Sequence, residues 1–233
     1  MSRVVLITGG TRGIGWALAE ALLNAGDKVA VTGTTEDGVV KAERELSRFG
    51  QAVAIACDVR DPAAAERAVR TVVAKFGRID ALVNNAGVGV GAPVADLTHD
   101  EWNRIIGTNL TGIFNCCKAA IPHLRQGGGG WIVNVSSLAS KNPFAGGAAY
   151  CASKAAVNAF SEALMQELRY DNIRVTYVLP GSVATGFSGR EPGTGAEWKL
   201  SPADVAQAIV DVLNHPPRSL PSRIEIRPSR PQK

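Results

Sequence analysis

The chain has 233 residues, 45% hydrophobic and 20% charged, with a formal net charge of +4; that is enough for one large core and short for two independent domains. No stretch approaches the roughly 18 apolar residues of a membrane helix, and the first apolar run leads into a glycine motif rather than a cleavage site, so a cytoplasmic protein with no membrane partner is expected. Much of the positive excess sits in the tail, at Arg218, Arg223, Arg227, Arg230 and Lys233, with no basic helix or interleaved aromatic platform, which argues against a nucleic-acid partner.

Short apolar strands alternate with amphipathic helices. Val4–Thr8 reads as a strand and Gly13–Asn24 as a helix, Lys28–Gly33 as a strand and Asp37–Arg48 as a helix. Ala52–Cys57 is a strand, and the helix Pro62–Phe76 opens with Asp61 as cap and Pro62 in its first turn. Ile79–Asn84 is a strand, and a long helix runs from about Thr98 to Leu124. Glycines 127–130 stop that helix before the strand Trp131–Ser136. A second long helix covers Ala149–Tyr170, and Ile173–Leu179 (strand), Pro202–Asn214 (helix) and Arg223–Ile226 (strand) complete the chain. Strands this apolar belong in a parallel sheet covered on both faces. The expectation is an α/β fold: one doubly wound Rossmann-type domain over residues 1–233, with a parallel sheet of about seven strands.

In open sheets of this kind ligands bind beyond the carboxyl ends of the strands. After the first strand come Gly9, Thr11, Arg12, Gly13, Ile14 and Gly15, a glycine loop opening the first helix. Such a loop lets the backbone approach a pyrophosphate, and the helix amino terminus offers free N–H groups and the positive end of a dipole. The second strand ends in Thr32-Gly33-Thr34-Thr35, with no acid where an NAD site would bind the ribose 2′-hydroxyl. Thr34, Thr35 and Arg12 therefore suit a 2′-phosphate, and Glu36 and Asp37 read as first-turn acids of the next helix, pointing away. NADP(H) is expected as the preferred cofactor, with NAD(H) as the alternative.

Tyr150 and Lys154 lie four apart on a helix and share a face. A nearby ammonium favours the phenolate of a tyrosine whose ordinary pKa is near 10. Ser136 and Ser137 end the fifth strand at the ligand rim, where a hydroxyl can donate to a carbonyl oxygen. Asn109 falls in the apolar stripe Trp102, Ile105, Ile106, Leu110, Ile113, Phe114, Cys117, where a buried amide must find partners. Neither the histidines nor the cysteines (Cys57, Cys116, Cys117, Cys151) show metal-ligand spacing; the cysteines read as reduced core thiols, Cys151 lying nearest the site by sequence, and no metal is expected.

The ordered set Thr8-Gly9-x-x-x-Gly13-x-Gly15, Asp58-Val59, Asn84-Asn85-Ala86-Gly87, Asn109, Ser137, Tyr150-x-x-x-Lys154 and Pro180-Gly181 resembles the short-chain dehydrogenase/reductase family over nearly the whole chain, with 3-oxoacyl-(acyl-carrier-protein) reductases as the nearest functional likeness. The resemblance implies four catalytic residues, Asn109, Ser137, Tyr150 and Lys154, and it chooses Ser137 over Ser136. It implies that Asp58 and Val59 face the adenine. Asn85 would stabilise the sheet beside a turn (Asn85, Ala86, Gly87) that lines the cofactor, and Pro180, Gly181, Val183 and Thr185 would bind the nicotinamide amide. Tyr150 would be the acid/base group. Lys154 would hold the ribose, lower the tyrosine pKa and pass on a proton from a water at a kink around Asn109. An arginine at position 12 matches family members that use NADP.

The implied activity is interconversion of a ketone or aldehyde and an alcohol, with a 3-oxoacyl thioester among the substrates and acyl carrier protein as a partner. A catalytically silent dinucleotide sensor is the alternative on the same fold. A sugar-nucleotide epimerase or dehydratase would need a larger carboxyl-terminal domain than the residues after Pro180 provide. Residues 186–199, rich in glycine and carrying Phe187 and Trp198, are the expected substrate lid. On the second long helix, the row Val157, Phe160, Leu164, Leu168 and the small-residue row Ala152, Ala156, Ala159, Ala163 both want cover, which implies a homodimer or homotetramer.

Overall fold

The computed structural model describes residues 2–89, 91–187 and 196–231. Its strands are β1 (Val4–Ile7), β2 (Lys28–Gly33), β3 (Ala52–Ala56), β4 (Ala81–Asn84), β5 (Gly130–Val135), β6 (Ile173–Pro180) and β7 (Arg223–Ile226). Its helices are α1 (Gly13–Asn24), α2 (Glu36–Leu46), α3 (Pro62–Phe76), α4 (His99–Ile106), α5 (Gly112–Gln126), α6 (Ala148–Leu168) and α7 (Pro202–Leu213). All seven strands pair in parallel in the order β3-β2-β1-β4-β5-β6-β7.

The inner strands are largely apolar because each feeds two cores, while the edge strand β7 alternates Arg223, Ile224, Glu225, Ile226 and packs on one core only. Val4 and Leu6 pack with α3, α5 and α6, while Val5 and Ile7 pack with α1, α2 and α7. Successive side chains of a strand point to opposite faces, so a sheet sandwiched between helix layers needs an apolar residue at every position. The chain first builds outward from β1 to β3 and then returns to β4 on the other side of β1. That reversal opens a crevice beyond the carboxyl ends of β1 and β4.

The long helix expected over about 98–124 is present from His99 to Gln126, with a π insertion dividing it into α4 and α5. Gly107–Thr111 forms a π turn between α4 and α5. The wide turn adds a residue and shifts the helical phase, so the single apolar stripe read across it breaks: Ile105, Ile113 and Cys117 are buried, but Trp102 and Phe114 are exposed.

Candidate active site

Most helix amino termini in the chain are closed by a side chain: Thr35 on α2, Asp61 on α3, Thr98 on α4 and Ser201 on α7. The amino termini of α1 and α6 lack such a cap, and that of α1 follows the glycine loop. Arg12 stands at its cap position in extended backbone and makes no side-chain cap, and no acid occupies its first turn. Arg12, Gly13 and Ile14 at this terminus line a cavity of about 710 Å³ along the carboxyl edge of the sheet. An anion is the natural complement of such a terminus.

The loop before α1 is braced from across the crevice. Thr8 Oγ1 accepts from the N–H groups of Asn85 and Ala86, both at 3.0 Å, and Asn85 Nδ2 donates to the carbonyls of Thr8 (3.1 Å) and Gly9 (2.9 Å). The approach needs glycine: Gly9 has φ +64°, and a Cβ there would sit 2.9 Å from Ala86 Cα. These residues make a cradle that a pyrophosphate fits and that any larger side chain would fill.

Gly9, Thr11, Arg12, Gly13 and Ile14 line the cavity near α1, and Thr34, Asp58 and Val59 line the end beyond β2 and β3. Asn85, Ala86 and Gly87 follow at its middle, with Ser137, Tyr150, Lys154, Pro180, Gly181, Val183 and Thr185 on the far side. Three expected site residues lie off the wall. Gly15 is buried, and a Cβ on it would come within 2.6 Å of Asn85 Nδ2. Thr35 commits its oxygen to the Gly38 N–H at 3.3 Å as the cap of α2. Asn109 is fully buried behind the wall. Glu36 and Asp37 are exposed in the first turn of α2 and do not line the cavity. Residues 188–195, the centre of the expected lid, lie outside the described residues.

At the far side Ser137 and Tyr150 line the same stretch of wall. Ser137 Oγ accepts from the Ala139 N–H at 3.1 Å. Ser136 turns the other way: its hydroxyl bonds Asn158 Oδ1 at 2.6 Å and the Lys154 carbonyl at 3.1 Å. The ring of Phe187 leans on Tyr150, with centroids 5.8 Å apart and an interplanar angle of 59°. Burial raises the Tyr150 phenol above its ordinary value, and the Ser137 hydroxyl offsets part of that rise. Lys154 Nζ lies 5.9 Å from the Tyr150 ring centroid and donates to the Val135 carbonyl at 2.8 Å. The ammonium is turned to a carbonyl here, and burial is the larger influence on the phenol. The same burial brings Lys154 down to about 8.

Asn109 sits in the π turn. Its Oδ1 accepts from the Val88 N–H at 2.8 Å, and its Nδ2 donates to the Val88 carbonyl (2.9 Å) and Ser153 Oγ (3.0 Å). Ser153 in turn donates to the Tyr150 carbonyl at 2.7 Å. Asn109 thus ties the loop after β4 to the first turn of α6, where Tyr150 stands. The kink expected at this asparagine is present as the π turn.

Sequence reasoning missed several wall residues: Cys57, Arg60, Arg104 and Thr108. Arg104 and Thr108 are four apart, the spacing of one helical face, but Thr108 lies in the π turn, and only the packing of that turn against Arg60 after β3 brings the pair to this wall. The cysteine on the wall is Cys57 rather than Cys151, and burial pushes its thiol up to about 11. All four cysteines are buried and unpaired with one another.

A family model described as short chain dehydrogenase matches residues 3–193. Sulfoacetaldehyde reductase 2 of Chromohalobacter salexigens is 34% identical over 241 residues, covering 99% of this chain and 96% of the relative. Among solved structures, an alcohol dehydrogenase from the archaeon Thermococcus sibiricus complexed with 5-hydroxy-NADP superposes with a TM-score of 0.92 at 29% identity, covering 100% of each chain. The 3-ketoacyl-(acyl-carrier-protein) reductase of Brucella melitensis complexed with NADH superposes with a TM-score of 0.90 at 28% identity, covering 97% of each chain.

Proposed function

Because this chain belongs to the short-chain dehydrogenase family and is an oxidoreductase acting on C=O and CH–OH groups, we propose that it is an NADP(H)-preferring carbonyl reductase in which Tyr150 moves the proton. One observation carries the reading: Ser137 and Tyr150 stand on the wall of the same cavity that is lined by the uncapped amino terminus of α1. The cradle of Gly9, Gly13, Ile14 and the turn Asn85–Gly87 would hold the pyrophosphate, and Arg12 and Thr34 a 2′-phosphate. Asp58 and Val59 would hold the adenine, and Pro180, Gly181, Val183 and Thr185 the nicotinamide. When bound, the dinucleotide supplies or accepts the hydride.

The protein's part is to place and protonate the oxygen. Ser137 donates to the carbonyl oxygen and stabilises the charge that develops on it. Tyr150, kept as a neutral phenol by burial, gives its proton to that oxygen in the reducing direction. Lys154, four residues on, passes a proton that originates in solvent to the tyrosine, ending the cycle as the ammonium it began as, and holds the ribose. Asn109 acts through α6, fixing the backbone on which Tyr150 stands.

A 3-oxoacyl thioester carried by acyl carrier protein is the substrate we favour, supported by the resemblance to 3-ketoacyl reductases. The test is NADPH and NADH oxidation over a panel of acyl thioesters, β-keto esters, aldehydes, sugars and steroids. Turnover of some carbonyl is expected, with the thioester fastest. Dinucleotide binding without turnover on any of them would instead identify a sensing protein.

The chain is proposed to work as a homodimer or homotetramer. Ala152, Ala159 and Ala163 form an exposed small-residue row on α6, and Phe114 and Trp102 are exposed at 47% and 41% on the neighbouring α5 and α4. Light scattering at micromolar concentration should give at least twice the chain mass; a clean monomer would remove this reading.

A further inference from the structure

The turn Asp58–Arg60 after β3 forms one end of the cavity, and all three residues line it. The turn is bonded within itself. The Asp61 N–H donates to the Asp58 carbonyl at 3.0 Å, and the Arg60 N–H donates to Asp58 Oδ1 at 3.0 Å. The Arg60 guanidinium adds bonds to the same carboxylate at 3.0 Å from Nε and 2.5 Å from Nη2. Held this way, the Asp58 carboxyl stays below its usual range and ionised. These bonds fix the carboxylate relative to the turn. They do not fix the turn relative to the cavity.

That second task falls to α5. Asn115, 7% exposed, donates from Nδ2 to the carbonyls of Val59 at 2.9 Å and Arg60 at 3.3 Å. One turn earlier, a Cβ on Gly112 would meet Val59 Cγ2 at 2.5 Å, so the bare helix backbone is what lets Val59 seat. At the π turn, Cγ and Cδ of Arg60 lie 3.6 and 3.5 Å from where a Cβ on Gly107 would be. Three positions on one continuous helical segment therefore grip one short turn, and Asn115 makes the hydrogen bonds. It does not line the cavity, so it does not touch what the cavity holds.

We infer that Asn115 is a positioning residue for the adenylate end of the cofactor, setting where the Asp58 carboxylate and the Val59 side chain stand. The inference rests on the dinucleotide reading above. A buried asparagine serving only to join α5 to β3 would weaken the whole fold or nothing in particular. A positioning residue should act on one half of the cofactor. The other half contacts the far side of the cavity, beyond β4, β5 and β6, which Asn115 does not reach by any of its hydrogen bonds.

The experiment compares wild type with Asn115→Ala and with the nearly isosteric Asn115→Asp, which faces the two carbonyls with an acceptor. Each is first shown to melt cooperatively. Calorimetry then gives Kd for NADPH, NADH and adenosine diphosphate, and kcat/KM is measured with reduced nicotinamide mononucleotide, which lacks the adenylate. We expect roughly tenfold weaker binding of both dinucleotides and of adenosine diphosphate, the size of a lost buried hydrogen bond. We expect unchanged kcat/KM with the mononucleotide and unchanged kcat at saturating dinucleotide. Unchanged dinucleotide affinity, or equal losses with adenosine diphosphate and the mononucleotide, would overturn the inference. Wild type that binds neither dinucleotide would overturn the functional reading instead.

Discussion

At the Asp58–Arg60 end of the cavity the charged groups stand partly in water, the side chains being 38% and 50% exposed. At the Tyr150 end they are withdrawn: Lys154 is 4% exposed and Tyr150 half-buried. The consequences differ in kind. An exposed ion pair contributes about 1 kcal/mol or less and is screened by salt, so the first end holds shape and offers contacts. Burial at the second end penalises charge itself, raising the phenol and bringing the lysine down to about 8. Changes at the Tyr150 end should therefore appear in rate and pH dependence, and changes at the other end in cofactor affinity.

The largest break should come from Tyr150→Phe. Removing the proton donor should cost about 10² to 10⁴ in kcat, while Kd for the reduced cofactor, measured by fluorescence, stays within about twofold. Near-wild-type turnover would end the assignment of Tyr150. Ser137→Ala comes next, with a loss of about 10² to 10³ in kcat for one donor at the developing oxyanion. Ser136→Ala sharpens the contrast. Its hydroxyl is already bonded to Asn158 and the Lys154 carbonyl, so that variant should lose about 1 kcal/mol of stability and keep its rate. A reversed pattern would exchange the roles of the two serines.

The sequence carried the glycine loop and the Tyr150–Lys154 pair because both are local: one is a strand-to-helix turn, the other a repeat of one helical turn. The choice between Ser136 and Ser137 is not local and came from the family resemblance; in the structure the Ser136 hydroxyl is bonded to Asn158 and the Lys154 carbonyl, while Ser137 lines the cavity beside Tyr150. A kink at Asn109 came from the resemblance, but its form as a π turn did not, because only the packing of Gly107 and Gly112 against Arg60 and Val59 shows where the extra residue goes. The same packing hides Arg104, Thr108 and Asn115 from any reading of spacing. Thr35 had a legible signal that was outweighed: a threonine just before Glu36 and Asp37 is an ordinary helix cap, and it caps α2.

Lys154 gives a smaller effect of opposite sign in stability and function. Its folded pKa of about 8 lies below the ordinary 10.5, so between these values the unfolded chain binds more protons and stability should rise with pH. Below pH 8 the full penalty of burying the charge is present. Lys154→Met removes it. Denaturant melts at pH 7 should show the variant more stable by about 1 to 3 kcal/mol, with the gap closing toward pH 10.5, while activity falls. In wild type, kcat/KM for the reduced cofactor should decline above pH 8 as the ammonium is lost, and Lys154→Arg should carry that decline to higher pH. A variant less stable than wild type at pH 7 would mean that the Val135 hydrogen bond outweighs the burial penalty.

The smallest expected effect is the choice between the two cofactors, and it belongs to the exposed end. Arg12 and Thr34 line the cavity and are both exposed, and Glu36 and Asp37 do not line it. A 2′-phosphate there would meet one guanidinium and one hydroxyl in water, so each contact should be modest and sensitive to salt. Arg12→Ala should weaken NADPH about tenfold, in keeping with a hydrogen bond to a charged group, and should leave NADH within about twofold. Thr34→Asp should act by repulsion, placing a carboxylate where the phosphate would sit while offering the 2′-hydroxyl of NADH an acceptor. Kd values for both cofactors in low and physiological salt measure this directly. If wild type binds NADH more tightly than NADPH, Glu36 or Asp37 reaches the ribose when the cofactor is bound, and the preference for NADP(H) is wrong even though the cradle around α1 is right.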